Sequence, residues 1–467
     1  MKDFFTTLII IVMLALVAGC VPDSAQQAAA AGTISAATTP VVTVEVTRVV
    51  VRERVVPATP APPTACSPEQ LQQAEELVIG ALLPLSNSKQ WPGALGMQIG
   101  LNSAAEMLAS GVGGLPVRIV TYDTGDDPVR AAQMAERLIT EDCVLGLVVG
   151  LNDEASSAVR VITERFRKPM LVISAGEPAL TEEQPSTVFR LAPSAPMVAR
   201  MPAAWLAEVG DYNRDGNLLA VLVAENSPAG DRAVADAEEW FAQYAIDLTV
   251  QRVDLPAADF SPQIARLLSM DTVPDAVFVS IDGDPALDFQ QQMLEAGIKP
   301  EKGTLSVIRS ERALDGQAFW SRVPLGVGTI VERKGPWPAT QNAGTEAFAN
   351  RYARINLKWP AMSSFLAHDA LLLFIDAIGR AASLRGTDLV KALEESDIEL
   401  AAGRYSFPYG STNPPDGQTT PAHFWHQWTN PPLLYLHYTQ DMQDPALLDV
   451  IWPGIYRTTP GPIEPLP

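Results

Sequence analysis

The sequence predicts an α/β fold built as two lobes, each a doubly wound parallel sheet. Three observations carry that expectation. From Leu77 onward, short apolar runs of strand length alternate with amphipathic helices, the pattern of parallel sheets covered on both faces. The alternation comes in two series, one starting at LVIGALLPL and the other at LLAVLVAE. Folded chain of about 390 residues is also more than one such layer holds together, so two lobes are expected.

The chain begins with MKDFFTTLIIIVMLALVAGC. Its apolar run, Phe4 to Ala18, is about fifteen residues, short of the roughly twenty a spanning helix needs. Position at the extreme N-terminus and an ending in small residues fit a secretory leader. Residues 20–65 read as a tether rich in alanine, threonine and proline, closed by the stiff PATPAPPTAC. Within it VVTVEVTRVVVRERVV reads either as a linker with transient strand character or as a short paired stalk.

LVIGALLPL is the first strand, followed by a helix with Leu101, Ala104, Ala105 and Leu108 on one face. VRIVTYD is the second. Asp127-Pro128 then opens a helix, with proline at the first helical position, and Ala131, Met134, Ala135 and Leu138 form its buried stripe. VLGLVV, a helix ending near Lys168, and MLVIS complete the first series. In the second, LLAVLVAE precedes a helix around RAVADAEEWFAQYA and the strand DAVFVSI. The next helix carries Phe289, Met293 and Ala296 on one face and stops at Gly297 and Pro300. FLAHDALLLFIDAIG is interrupted by His368, Asp369 and Asp376, so it reads as a buried helix and not a membrane span.

Composition narrows function. Among 467 residues the formal net charge is −21, which repels phosphate backbones and disfavours nucleic-acid binding. There are 3 cysteines. Setting Cys20 aside, Cys66 and Cys143 precede the first and third strands, which are often neighbours in an open parallel sheet. They read either as an extracytoplasmic disulfide or as two buried free thiols. No P-loop, GxSxG elbow or zinc spacing is present, so an enzyme would need an unrecognised carboxylate site, and the chain is read as a non-enzyme. DYNRDG (residues 211–216) matches the first half of a calcium loop, but Leu222 stands where the bidentate glutamate belongs. An Asx-rich turn is the preferred reading, with calcium completed from elsewhere as the alternative. HFWHQW carries His423 and His426, which as strand residues three apart would face opposite sides and not share a metal.

Two resemblances sharpen the reading. Val17-Ala18-Gly19-Cys20 resembles the lipobox of bacterial lipoproteins, which implies cleavage before Cys20 and its acylation. IGALLPLS, then GLNSAAEMLASGVGGLPVRIVTYDTGDDPVRAAQMAERLI and LVVG resemble the opening of the leucine/isoleucine/valine-binding protein family. PALTEEQPSTVFRLAPS is similar to that family's crossing into the second lobe, and PDAVFVSIDGDPALDFQQQMLEAGIK to a second-lobe strand–helix unit. HDALLLFIDAIGRA resembles a late first-lobe helix, and AAGRYSFPYG the closing strand. The resemblance implies a type I periplasmic binding protein fold with three crossovers. Under it the leader is 1–19, the tether 20–65, lobe 1 66–196 and 331–402, lobe 2 197–330 and 403–445, and the tail 446–467.

What it implies about function is a lipid-anchored extracytoplasmic receptor that closes on a small polar ligand, an amino acid or related compound. The receptor would hand that ligand to the membrane subunits of an ABC transporter. Expected partners are that ligand, those subunits, and the membrane through the lipid only; the chain is expected to be a monomer without cofactor or metal. A ligand-sensing or adhesive surface lipoprotein without a transporter is the alternative.

The candidate ligand residues follow from the same resemblance. Trp91, after the first strand, offers an aromatic wall. In GLNDEASS the family's serine gives way to Asp153 and Glu154, with Ser156 a turn later. These acids read either as helix capping or as cleft groups. In the cleft, one would oppose a ligand carboxylate 4 Å away by about 4 kcal/mol at an effective dielectric of 20. In ISAGEPALT, Ser174, Ala175, Gly176 and Glu177 occupy the loop that holds a ligand's ammonium in the family. Ser227 or Pro228 replaces a tyrosine of the second lobe, and Glu311 is the nearest acidic group for the ammonium, or else a solvated loop charge.

Overall fold

The computed structural model describes residues 66, 75–86, 91–356 and 358–466. The leader, the lipidation candidate Cys20 and the tether through Ala65 lie outside the described residues. Lobe 1 holds a five-stranded parallel sheet of β1 (Leu77–Leu83), β2 (Val117–Asp123), β3 (Leu147–Val149), β4 (Met170–Val172) and β5 (Val188–Arg190), in the order β2-β1-β3-β4-β5. Every residue of β1, β3, β4 and β5 is buried, because helices cover both faces and leave no polar alternation. β2, at the edge, stays half-buried. One face packs helices Trp91–Met107 and Met362–Arg380, the other helices Pro128–Thr140 and Asp153–Phe166.

Gly100 is what lets Trp91–Met107 and Met362–Arg380 approach so closely. A Cβ added there would lie 2.3 Å from the Ser364 carbonyl oxygen. Met362–Arg380 is long and apolar enough to span a membrane, but 72% of its apolar window is buried in the lobe. Its interrupting Asp369 is fully buried and hydrogen-bonded: the carboxylate accepts from Ala401 N at 3.0 Å, Ala402 N at 2.6 Å and the Tyr405 hydroxyl at 3.0 Å. A disulfide joins Cys66 to Cys143, with Cα atoms 5.4 Å apart, below the adjacent strands β1 and β3.

Lobe 2 adds β6 (Leu219–Glu225), β7 (Asp247–Val253), β8 (Ala276–Ser280), β9 (Leu305–Ile308) and β10 (Thr329–Lys334), parallel to one another. After the hairpin of β11 (Asp397–Leu400) and β12 (Gly403–Ser406), β13 (Leu433–His437) and β14 (Asp449–Trp452) extend this sheet antiparallel at one edge. The order is β14-β13-β10-β9-β8-β6-β7. Two separate apolar clusters flank it.

Three crossings join the lobes, and two of them fall later than the sequence suggests. The first lies between Arg190 and helix Ala195–Ala199, close to the expected boundary at 196. The second follows Lys334 rather than residue 330, because β10 continues pairing with β13 through Lys334↔Leu433. The third comes after Trp428, not at residue 403. Tyr405 and Trp428 stack with centroids 4.3 Å apart inside the lobe 1 core, and Arg190 bridges Gln427, so 403–428 stays with lobe 1. Residues 446–467 are not a plain tail either, since β14 pairs with β13 and Ile451 is buried in lobe 2.

The registers matter for function. Leu83↔Asp123, Leu82↔Val149, Val149↔Val172 and Val172↔Arg190 bring the carboxyl ends of the first sheet nearly level. Glu225↔Val253, Ala224↔Ser280, Val279↔Ile308 and Ile308↔Val331 do the same in the second. Each lobe therefore carries one rim of loops where open α/β sheets bind ligands.

Candidate functional site

On lobe 1 the rim is tied together by carboxylates. The Ser86 hydroxyl and amide both donate to Asp123, the amide at 3.1 Å. Burial works against ionisation of Asp123, but the Ser86 and Gly125 hydrogen bonds outweigh it and hold its pKa below the ordinary value. Asp126 accepts from Asn152 N at 3.2 Å, and Asn152 in turn caps helix Asp153–Phe166 by accepting from Ala155 N at 2.8 Å. The cap is thus Asn152, one residue before the acids that sequence reasoning offered for that role.

Asp153 reaches across to the loop after β4. Its Oδ1 accepts from Gly176 N at 2.8 Å and from Glu177 N at 2.9 Å. The Ser174 hydroxyl donates to the Leu151 carbonyl at 2.7 Å, closing the same two loops. Asp153, Ser174, Gly176 and Glu177 therefore meet in one cluster, with Glu154 exposed beside it. Ser156 and Ala175 do not belong to the rim surface. Ser156 is fully buried and turned toward the Leu151 carbonyl, and Ala175 is 2% exposed in the core. The Trp91 side chain lies outside what the structure describes.

Under this cluster sits Arg190, which sequence reasoning passed over as a strand residue. It is fully buried, and its guanidinium donates to Gln427 Oε1 at 2.6 Å, the Glu177 carbonyl at 2.6 Å, the His423 carbonyl at 3.0 Å and the Thr181 hydroxyl. Burial pulls its pKa down to about 10. A lone arginine inside the apolar run TVFRLA was the available signal, because a buried cation needs several acceptors around it.

On lobe 2, Ser227 caps helix Pro228–Gln243 through Gly230 N and donates to Glu225 Oε1 at 2.6 Å. Glu225 Oε2 accepts from Asp282 N at 3.2 Å. Glu311 is neither a bare solvated charge nor an isolated acid, since Arg333 Nη1 donates to it at 2.9 Å. Arg333 Nη2 donates to the Pro360 carbonyl at 2.7 Å, which carries the contact into lobe 1 at the second crossing. Arg309 and Glu332, on the opposite face of the sheet from Arg333, form a further ion pair at 2.8 Å.

A cavity of about 230 Å³ lies elsewhere, among Pro336, Asn342, Gly403, Arg404, Asn430 and Tyr456. It belongs to the second and third crossings and not to the strand-end rims, so it is not the candidate site. The histidine segment is no strand: Ala422–Phe424 forms a 3-10 turn and His426 has φ 47°. His426 is buried, with Nδ1 3.0 Å from the Val188 carbonyl and Nε2 2.7 Å from Glu394. The 211–216 turn is closed by its own side chains, Asp211 accepting from Asp215 N and Gly216 N. Among the described residues no group of three or more histidine, cysteine or acidic side chains is placed to hold a metal ion.

Residues 76–428 match the family described as periplasmic binding protein. Solved structures agree in fold. An ABC transporter substrate-binding protein from Sphaerobacter thermophilus superposes with TM-score 0.58 at 20% identity, over 78% of this chain and 93% of that one. One from Desulfitobacterium hafniense, complexed with Leu, gives 0.57 at 16% identity over 80% and 99%. A solute binding protein of an ABC transporter from Rhodopseudomonas palustris, complexed with 3,4-dihydroxy benzoic acid, gives 0.54 at 17% identity over 78% and 93%. Curated protein sequences yield no match to this chain.

Proposed function

Because this chain belongs to the periplasmic binding protein family, we propose that it is a lipid-anchored extracytoplasmic receptor that captures a small polar solute between its lobes and delivers it to an ABC transporter. The observation that carries the reading is the pair of independently cored lobes joined by three crossings, each with a levelled rim of polar loops. Rigid halves on narrow connections can change their angle without disturbing either core. A solute that touches both rims binds the closed form better and draws the molecule into it. The leader ending in Val17-Ala18-Gly19-Cys20 supports export and acylation, with the alanine- and proline-rich segment as tether. The transporter's membrane subunits would then recognise the closed form.

Native mass spectrometry of gently purified protein tests the reading, followed by small-angle scattering with the recovered compound. The expected result is a retained metabolite and a contraction on adding it back to stripped protein. No retained compound, with scattering unchanged across a broad metabolite panel, would overturn it. Mass analysis of the N-terminal peptide from membranes should find an acylated Cys20, and Cys20→Ser should release the protein from the membrane fraction.

A further inference from the structure

We propose that Asp153 sets the charge class of the solute: its carboxylate fills the anion-receiving donors of the lobe 1 rim, so the receptor accepts solutes without a free carboxylate and turns away those that carry one, zwitterions included. This deepens the receptor reading and rests on it. Two consecutive backbone N–H groups, of Gly176 and Glu177, converge on the single oxygen Oδ1 of Asp153, at 2.8 and 2.9 Å. Successive amides aimed at one point form a concavity suited to an anion. The fully buried guanidinium of Arg190 backs the same loop, donating to the Glu177 carbonyl at 2.6 Å, and its other acceptors, on Gln427, Thr181 and His423, are uncharged.

The chain supplies its own anion to this place. Asp153 is not needed as the helix cap, because Asn152 already accepts from Ala155 N. Nor does the loop keep its other polar groups for a ligand: the Ser174 hydroxyl is spent on the Leu151 carbonyl, and the Gly176 carbonyl accepts from Ala195 N at 2.8 Å. A solute carboxylate arriving here finds the donors taken and a like charge in front of it. At 4 Å and an effective dielectric of 20 that repulsion is worth about 1,000-fold in affinity, and solvent at an exposed rim reduces it, so at least tenfold discrimination is expected. An uncharged or cationic group meets no such opposition.

Two variants separate charge from structure. Asp153→Asn keeps an oxygen acceptor for both N–H groups and removes only the charge, whereas Asp153→Ala vacates the donors. Calorimetry at low salt and pH 7 would compare L-leucine with L-leucinamide and 3,4-dihydroxybenzoate with its amide. Carboxylates should bind either variant at least tenfold more tightly than the native chain, with the amides gaining nothing. The solute retained by native protein should carry no free carboxylate. Carboxylates binding native protein as well as the variants, no carboxylate binding to either variant, or a retained solute with a free carboxylate would each overturn the assignment. A retained carboxylate would leave the receptor reading standing, while absence of any retained solute and of any closure would remove that reading itself.

Discussion

Arg190 Nη1 donates to the Glu177 carbonyl oxygen at 2.6 Å from a position with no solvent exposure. The same guanidinium holds Gln427 and the His423 carbonyl, more than 230 residues away in sequence. One side chain thus fastens the rim loop after β4 to the segment that precedes the third crossing. Replacing it by methionine removes the charge but strands these buried acceptors, each worth about 1–3 kcal/mol when left unpaired. Arg190→Met is expected to lower the urea midpoint by an amount equivalent to at least about 3 kcal/mol with unchanged m. Arg190→Lys should fall between, since an ammonium lacks the planar fork. A loss below about 1 kcal/mol in Arg190→Met would mean that the loop holds without the guanidinium.

Much of the scaffold was legible because it rests on local, periodic signals. Strands buried on both faces read as unbroken apolar runs, and LVIGALL and LAVLVAE are such runs. The third crossing was not, because AAGRYSFPYG carries no local mark of which lobe it packs on. Only the Tyr405–Trp428 stack and the Arg190–Gln427 bridge, both long-range, decide that. The site divides in the same way. Loops after strands were located from the alternation, and the family resemblance picked Asp153 and Gly176 out of them, yet nothing local says that an aspartate will reach a neighbouring loop's amides. Ser156 looked equally eligible and turned inward, because helix phase, not sequence position, decides its side.

Glu394 should make stability depend on acid. Burial opposes its ionisation, but hydrogen bonds from His426 and Ser411 prevail and lower its pKa from 4.5 to about 2. A carboxylate depressed in the folded state stabilises fully above its unfolded pKa and loses that contribution as pH falls through the folded value. The window is therefore about pH 4.5 down to about 2. The contribution at neutral pH is roughly 2–3 kcal/mol. Glu394→Gln should be destabilised by about that much at pH 7, with the gap to the native protein closing toward pH 2. Denaturant midpoints measured between pH 2 and 7 would check it; a gap that stays constant contradicts the assignment.

The Cys66–Cys143 bridge closes a stretch of 77 residues that contains β1, β2 and the helix that follows each of them. By loop-closure entropy such a link is worth about 4 kcal/mol, most of it through the unfolded chain. Substituting both cysteines by serine is expected to lower stability by about 2–5 kcal/mol. Reduction with dithiothreitol should have the same effect on native protein and none on the double variant. Equal stability with and without reductant would show that the thiols are not joined in solution.

At the second crossing Arg333 ties the lobes directly. It leaves β10 of lobe 2, donates to the Pro360 carbonyl of lobe 1 at 2.7 Å, and lies over the Trp337 ring at 5.2 Å. Nearby, Trp359 Nε1 donates to the Pro336 carbonyl at 2.8 Å. These contacts fix the angle at which the chain passes between lobes, so removing the guanidinium should widen the range of angles sampled. Spin labels on Val161 of lobe 1 and Leu268 of lobe 2, both on exposed helix positions, report that range as a distance distribution. Arg333→Met is expected to broaden it, while Glu311→Gln, which keeps the Pro360 contact and loses only the ion pair at the rim, should change it little. An unchanged distribution in Arg333→Met would place control of the angle in the crossing backbones alone. Broadening in Glu311→Gln as large as in Arg333→Met would move it to the ion pair.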